Sequence, residues 1–387
     1  MKSFFTEINN LLVALFLCST CMAVVLPSEG IVVLTNIALF GVLLVLNVKS
    51  YLKKGLYKYS FIMAAILFVL FLINMLFTSE KQLTEYFLHF LCFGLPTLFF
   101  PLMNVDYGKV IKNVAILSIL LLPFFLTHDY GFSAVDGESD SDAGELMTAS
   151  YRVLPLICSL LLMFISEEKK TYKVIFLVFS IIFMAFLLVV GSRGAILAIF
   201  VFFVFLFISR ARKSSGRLAR ASIIAIVLGV VVSQFGKIIE WLFEKSESLG
   251  LSLLPLSRLY FKVTNESNMD SGRGELISKA MQDFNDSPLW GKGIASFDNY
   301  SGYPHNLFVQ MLQEGGLLLF IPYAIIFFLG LKELILGDRR TTFYRILLFT
   351  FCGGVMQLMF SSYYWTSSLF WFFVFLILHK HTILKNN

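Results

Sequence analysis

The sequence predicts an all-α polytopic membrane protein with about twelve transmembrane helices and one large external loop domain. Composition is the first observation: 58% of the 387 residues are hydrophobic and 43 are phenylalanine. The mean hydropathy of +0.80 lies far outside the range of soluble domains. The second observation is a series of apolar runs of transmembrane length, and the third is the distribution of basic residues between those runs.

A helix needs roughly 17 to 25 apolar residues to cross a hydrocarbon core of about 30 Å. Twelve runs come close to this length. The first follows Lys2 and is interpreted as an uncleaved helix, because no convincing small-residue cleavage site follows it. The runs cover about residues 10–26, 31–48, 59–77, 85–103, 110–127, 148–166, 173–191, 194–209, 219–236, 306–330, 343–361 and 364–379.

The basic residues predict that both termini are cytoplasmic. With the N-terminus inside, the inner segments contain 21 of the 31 Lys and Arg residues and six acidic residues, and every inner segment between helices is net positive. Cytoplasmic loops of membrane proteins carry such an excess of basic residues. The net charge of +6 therefore reflects topology, and it gives no reason to expect a nucleic acid partner.

Two external segments are long. The acidic loop 128–147 is predicted to be solvated; its Asp140-Ser141-Asp142 triplet resembles a metal-binding acid pair, but acid-rich loops are common and no metal ligand is assigned. Residues 237–304 are predicted to form the loop domain, with an interfacial helix followed by a second amphipathic helix that ends before Pro288. Helices 1–9 then lie in residues 1–236, and helices 10–12 in residues 305–387.

Three arginines are predicted on one side of the membrane, and two of them, Arg193 and Arg152, lie at or near the outer ends of apolar runs, where charges are costly and are candidate functional groups. Arg193, in VVGSRGAILA, is predicted at the tip of a helical hairpin, about 29 Å along its first arm. Arg152 lies too close to the next inner acid to start a span, so its helix is expected to begin near 145–148. Arg273 falls in the first turn of the second external helix. Together they indicate an anionic ligand, whereas each alone could be a snorkelling or topology-setting cation.

The stretch YPHNLFVQMLQEGG, residues 303–316, combines a histidine at the mouth of the tenth run with an acid nine residues further in. A neutral imidazole can accept a proton from a hydroxyl, so His305 is a candidate base; the alternative is an interfacial His that only forms hydrogen bonds. Glu314 would lie about 13 Å deeper, on the opposite face of a continuous helix, although Gly315 and Gly316 permit a break. Its alternative role is to satisfy a neighbouring buried donor.

Three segments, VVGSRGAILA, SGRGELISKAMQDFNDSPLWGKG and YPHNLFVQMLQEGGLLLF, occur in this order around the external loop domain. Together they resemble the O-antigen ligase and polymerase superfamily of bacterial envelope glycan assembly. The resemblance covers residues 189–320 at most, and the N-terminal spans match only in hydropathy. It implies a multi-pass protein of the bacterial inner membrane, with a fold of the membrane glycosyltransferase (GT-C-like) class.

The resemblance also implies a metal-independent, inverting glycosyltransferase without a cofactor. Such an enzyme moves a glycan from undecaprenyl pyrophosphate to an acceptor at the periplasmic face. Carried over, Arg193 and Arg273 would hold the pyrophosphate, and His305 would serve the acceptor hydroxyl. The further substrate-binding candidates are Tyr303, Asn306, Glu314 and Arg152, the last added from its depth alone. The expected partners are the lipid-linked glycan, membrane lipid and, for a polymerase, a chain-length-regulating co-polymerase.

Three functions are compatible with these features. A polymerase extends a chain on a lipid-linked repeat unit, whereas a ligase transfers the finished glycan to lipid A core, and the YPHN form favours the polymerase. A transporter or flippase for lipid-linked sugars would also use arginines and apolar grooves. Transporters, however, place polar residues near the midplane with access from both sides. Because the candidates here gather at one face, one-sided chemistry is favoured.

Overall fold

The computed structural model describes residues 2–26, 28–54, 58–77, 81–128, 140–190, 193–209, 235–248, 273–297 and 303–381, together with the single positions 216, 219, 220, 223, 260 and 383. Across these residues the chain is helical apart from turns, and no β-strand is present. The all-α class predicted from the sequence is therefore confirmed for this part of the chain.

We number the α-helices of at least eight residues in chain order. They are α1 (Lys2–Leu17), α2 (Glu29–Lys54), α3 (Lys58–Phe77), α4 (Lys81–His89), α5 (Tyr107–Thr127), α6 (Asp140–Ser166), α7 (Lys170–Val190), α8 (Arg193–Ser209), α9 (Phe235–Ser248), α10 (Arg273–Asp286), α11 (Leu307–Leu336), α12 (Thr342–Thr350) and α13 (Ser368–Leu378). Helix α4 continues through π- and 3₁₀-turns to Leu102, and α12 continues through a π-turn to Leu358.

Apolar helices coincide with eleven of the twelve predicted runs. Six are long and apolar enough to cross a membrane: Gly30–Val48, Leu83–Leu102, Tyr107–Thr127, Leu146–Ser166, Lys170–Leu188 and Leu307–Leu336. Shorter apolar helices cover Phe4–Leu17, Ile62–Met75, Gly194–Ser209, Thr342–Leu358 and Ser368–Leu378. The predicted run 219–236 lies largely outside the described residues. The protein is thus a polytopic, helical membrane protein, while the number of twelve spans stays a prediction.

The structure differs from the sequence prediction at the C-terminal end of the acidic segment. Residues 128–147 were expected to form a loop, but α6 begins at Asp140, and residues 129–139 lie outside the described part. Acidic residues are favoured in the first turn of a helix because they complement its dipole, so the Asp140-Ser141-Asp142 triplet suits a helix start. Arg152 accordingly lies within α6, which confirms that its helix begins before it.

The last helix, α13, occupies the centre of the bundle. Residues Ser368 to Ile377 are all buried, and α13 is hydrophobic on every side, as expected of a helix enclosed by others. It packs against α11, the π-turn after α12 and the 3₁₀-turn Leu95–Leu98. Trp365 and Trp371 are fully buried at its N-terminal end, so an aromatic core underlies the segment that precedes α13.

A break in α11 positions the residues that follow α10. Gly316, inside α11, has φ 58° and ψ −153°, which interrupts the ladder of helical hydrogen bonds. Residues 288–293, here called the 288–293 loop, fill the interruption with four backbone hydrogen bonds. They are Lys292 N–H to Gln313 O (2.8 Å), Gly293 N–H to Glu314 O (2.9 Å), Leu317 N–H to Pro288 O (2.9 Å) and Leu318 N–H to Leu289 O (3.2 Å). The loop thereby satisfies backbone groups that the break would otherwise leave unpaired.

Replacement of Gly316 by alanine is expected to lower the free energy of unfolding by about 1–3 kcal/mol. The backbone at Gly316 is left-handed, and an alanine Cβ there would lie 2.6 Å from backbone atoms of Leu289 and Pro288. Thermal denaturation in detergent measures the effect. Gly41→Ala is the matched control, because no atom lies within 4 Å of a Cβ at Gly41 and alanine favours the helix. Equal melting temperatures for the two variants would contradict a structural role of the break.

Candidate active site

His305 lies between α10 and α11, directly before the N-terminal turn of α11. Its backbone is left-handed, with φ 50°, an uncommon conformation for a residue with a side chain. The ring is partly buried, and its Nδ1 atom is buried without a hydrogen-bond partner among the described residues. Burial, followed by the positive charge of Arg273, lowers the pKa of His305 to about 4. The imidazole is therefore neutral near pH 7 and can accept a proton.

Tyr303 packs against His305. The two ring centroids are 3.9 Å apart. The Tyr303 hydroxyl accepts a hydrogen bond from the Ser362 backbone N–H at 2.6 Å and lies 3.1 Å from the Ser361 hydroxyl. Ser362 has a left-handed backbone, with φ 69°. The contacts therefore join the His305 turn to a second turn, 58 residues further along the chain.

The second turn belongs to Ser361–Thr366, here called the strap, which connects the end of the α12 segment to α13. Tyr363, within the strap, stacks against Tyr303 at 4.1 Å and against Phe297 at 5.5 Å between ring centroids. Sequence reasoning assigned no role to the strap. The available signal was a serine- and tyrosine-rich break, SSYYWT, between two apolar runs.

Glu314 fixes the other end of the strap. Its carboxylate accepts hydrogen bonds from the Tyr364 hydroxyl at 2.5 Å, from Trp365 Nε1 at 2.9 Å and from Gln310 Nε2 at 3.0 Å. All four residues are buried or nearly so. These contacts agree with the alternative role predicted for Glu314, the satisfaction of neighbouring donors. Its substrate contact stays a prediction.

The charge of Arg273 acts on His305 although 31 residues separate them in the sequence. It occupies the first position of α10 and is partly buried. Its positive charge lowers the pKa of His305 and also acts on Tyr303, whose pKa is raised by burial. A guanidinium and a neutral imidazole therefore share one electrostatic environment.

Arg193 begins α8, three residues after α7 ends at Val190, which confirms a tight connection between these two helices. Its side chain lies outside the described part of the structure. The backbone of the next residue, Gly194, lies against the Tyr151 hydroxyl and Phe360; a Cβ on Gly194 would lie 2.9 Å from the Phe360 Cβ. Phe360 directly precedes the strap. The N-terminus of α8 is therefore near the strap on which Tyr303 rests.

The two remaining candidates have structural roles in the fold. Arg152 follows Tyr151 on α6, is partly buried, and its backbone carbonyl accepts a hydrogen bond from Cys21 Sγ at 3.0 Å. No described contact joins its guanidinium to His305. Asn306 caps α11, since its Oδ1 accepts hydrogen bonds from the backbone N–H groups of Phe308 at 3.0 Å and Val309 at 3.2 Å. Substrate binding by Arg152 and Asn306 stays a prediction.

The site can hold an anion beside a proton acceptor. Arg273 offers a fork of N–H donors suited to phosphate oxygens, and His305 offers a neutral ring nitrogen. Among the described residues, no group of three or more His, Cys, Asp and Glu side chains could hold a metal ion. The fold and the site together define a polytopic helical membrane protein with a cationic, polar site built where loop segments meet at the end of α11.

Part of the chain is similar to a known protein family. Residues 175–324 match the family model described as O-Antigen ligase, which supports the resemblance to the O-antigen ligase and polymerase superfamily. The match covers less than half of the chain. It includes Arg193, Arg273, Tyr303, His305 and Glu314, and it excludes Arg152 and the strap. Searches of curated proteins and of solved structures give no match.

Proposed function

We propose that the protein is a polymerase that joins undecaprenyl-pyrophosphate-linked oligosaccharide repeat units by metal-independent, inverting glycosyl transfer. The observation that carries the proposal is a neutral, partly buried His305 on which the charge of Arg273 acts, inside the segment that matches the O-antigen ligase family. Enzymatic function in the broad sense is supported by that match, since members of this family transfer glycans.

In the proposed reaction, the acceptor hydroxyl oxygen attacks C1 of the sugar at the reducing end of the donor glycan. The new C1–O bond forms as the bond from C1 to the pyrophosphate oxygen breaks, and the electron pair leaves with undecaprenyl pyrophosphate. The proton of the hydroxyl passes to His305. Attack from the face opposite the leaving group inverts the configuration at C1.

Arg273 has two effects in this scheme. It stabilises the charge that develops on the leaving pyrophosphate, and its positive charge lowers the pKa of His305. A bound pyrophosphate would offset the positive charge of Arg273, so the pKa of His305 would rise when the donor binds. The base would then be stronger in the complex than in the free enzyme, which favours proton transfer only when the donor is in place. Arg193, at the N-terminus of α8, would add a second guanidinium, and Arg152 a third.

The proposal includes a location and a topology. We propose the bacterial inner membrane, cytoplasmic termini, a periplasmic site and a periplasmic loop domain over 237–304. A chain-length-regulating co-polymerase would be the protein partner. The distribution of basic residues supports this orientation.

Ligation of the glycan to lipid A core is the second candidate function, favoured by the description of the matching family as O-antigen ligase. The two candidate functions are distinguished by the acceptor that the protein requires. The purified full chain, given only lipid-linked repeat units, is expected to lengthen them, which would be seen as a ladder on gels. Arg273→Ala is expected to abolish the ladder, whereas Arg339→Ala, on the opposite side of the predicted topology, should leave it intact. Product formation that requires lipid A core would instead identify a ligase.

A further inference from the structure

The length of α11 defines where the membrane boundary falls along it. Its 30 residues would extend about 45 Å as a straight helix, more than the roughly 30 Å of a hydrocarbon core. The residues from Gly316 to Leu336, after the break, extend about 31 Å and are sufficient to cross the core by themselves. Lys332 and Glu333 lie in the last turns, where a lysine can snorkel and Glu333 pairs with Lys380 at 2.5 Å. The boundary on the side of the site therefore lies close to Gly316.

The 288–293 loop lies at this level and presents two large apolar side chains. Trp290 is 72% exposed and Leu289 is 55% exposed. Their height along α11 is fixed, because the carbonyls of Pro288 and Leu289 accept hydrogen bonds from Leu317 and Leu318. Trp290 makes no ring contact with another described residue. A tryptophan this exposed, on a loop whose backbone is bonded to α11, is available to a partner outside the folded chain.

The neighbouring surface identifies that partner as lipid. Leu318 is 53% exposed, and Ile321, Ile325 and Phe328 continue the exposed apolar face along the membrane-crossing part of α11. Close to Trp290 in the sequence, Lys292 forms an exposed ion pair with Asp286 at 3.3 Å. The surface thus changes from apolar to charged within a few residues, with the tryptophan at the change. Tryptophan is enriched at this level of a bilayer because one part of its ring is apolar and its N–H is polar.

We propose that Leu289 and Trp290 form a membrane anchor that inserts into the leaflet facing the site, at the boundary between headgroups and acyl chains. The anchor is joined through four backbone hydrogen bonds to the break in α11, and the residues from Leu307 to Gly315 lead from that break to His305. His305 lies 11 residues before Gly316, so it is held within about 17 Å of the hydrocarbon boundary. The role of the anchor is to fix the height of the site relative to lipid headgroups.

Fluorescence quenching of the full-length protein in lipid nanodiscs tests the anchor. The discs contain phosphatidylethanolamine and phosphatidylglycerol with a fraction of phosphatidylcholine brominated either near the glycerol end or near the methyl end of its chains. The difference in emission between the parent protein and Trp290→Phe isolates Trp290. We expect the lipid brominated near the glycerol end to quench most of this difference, and aqueous iodide to quench little of it.

Trp241→Phe is the matched control, since Trp241 is a second exposed tryptophan that the proposal does not place at the break. The folding of each variant is checked by its melting temperature, which should change little because Trp290 is exposed. Strong quenching of Trp290 by iodide with none by brominated lipid would overturn the proposal. Protection from both quenchers would also overturn it, and would point to a protein partner or a second copy of the chain. The readout does not depend on glycosyltransferase activity, so it stands or falls separately from the proposed function.

Discussion

Elongation of lipid-linked repeat units by His305→Ala protein is expected to fall by about 10²–10⁴-fold, while the protein still folds and inserts into membranes. The imidazole is the proposed acceptor of the hydroxyl proton, and its pKa of about 4 leaves it neutral near pH 7. The rate of ladder formation by purified protein measures the loss. Transport of lipid-linked sugars would not depend on this side chain.

A second substitution of His305 is needed, because the left-handed backbone at this position disfavours alanine. Its φ of 50° would strain alanine by about 1–2 kcal/mol, whereas asparagine tolerates the left-handed region better and cannot act as a base. His305→Asn is therefore expected to keep the wild-type melting temperature and to lose elongation as completely as His305→Ala. An active His305→Asn protein would show that the histidine serves the turn and not proton transfer.

The pH dependence of the stability of the folded protein gives a second control on His305. The pKa of His305 in the folded protein, about 4, lies below the value of about 6.5 in an unfolded chain. The folded state therefore binds fewer protons between these values, so the stability from His305 is complete above about pH 6.5 and is lost as the pH falls towards 4. The melting temperature of wild type should decrease more steeply over this range than that of His305→Asn.

Glu314→Ala is expected to lower the free energy of unfolding by about 3–5 kcal/mol and to abolish elongation. The change removes the acceptor of three buried donors: Tyr364, Trp365 and Gln310. Each donor left unpaired in a dry environment costs free energy, because water cannot replace the carboxylate. Thermal denaturation in detergent measures the stability, and the elongation assay measures activity.

The hydrogen bonds from Tyr364, Trp365 and Gln310 to Glu314 are here called the clamp. Tyr364→Phe separates the effect of the clamp from simple loss of a carboxylate. It removes one donor and leaves Glu314 with its other partners, so the expected cost is only about 1–2 kcal/mol. If Glu314 acts by holding the strap, Tyr364→Phe should reduce elongation partially, because Tyr303 rests on Ser361 and Ser362 at the other end of the strap. A Glu314→Ala protein with wild-type melting temperature and elongation rate would exclude the clamp.

Local features of the fold could be predicted from the sequence. The helix containing Arg152 was expected to begin before that residue because the distance to the next charge was too short for a span, and α6 confirms this. The hairpin at Arg193 was likewise expected from a single charge in a long apolar stretch. Of the predicted acidic loop, residues 140–147 are helical instead, because composition alone does not distinguish a solvated loop from a helix start that carries favourable acids.

The candidate site was predicted only in part. The stretch containing His305 and Glu314 was identified because charge in an apolar run is costly. The partners of Glu314 on the strap lie 50 and 51 residues away, and no local pattern pairs residues at that separation. The break at Gly316 was anticipated from two adjacent glycines, but its purpose, to receive the 288–293 loop, required the backbone contacts themselves.

The sequence by itself determined that this is a polytopic membrane protein with its candidate charges near one end of its apolar runs. Hydrophobicity and run length are local properties that add along the chain, so they can be determined without knowing its path. Only the tertiary structure decided which charges meet. The charge of Arg273 acts on His305 across 31 intervening residues, and the pKa of His305 follows from its burial and from that charge. The proximity of two charged groups and their burial depend on how the chain folds in space, and this cannot be derived from a single sequence.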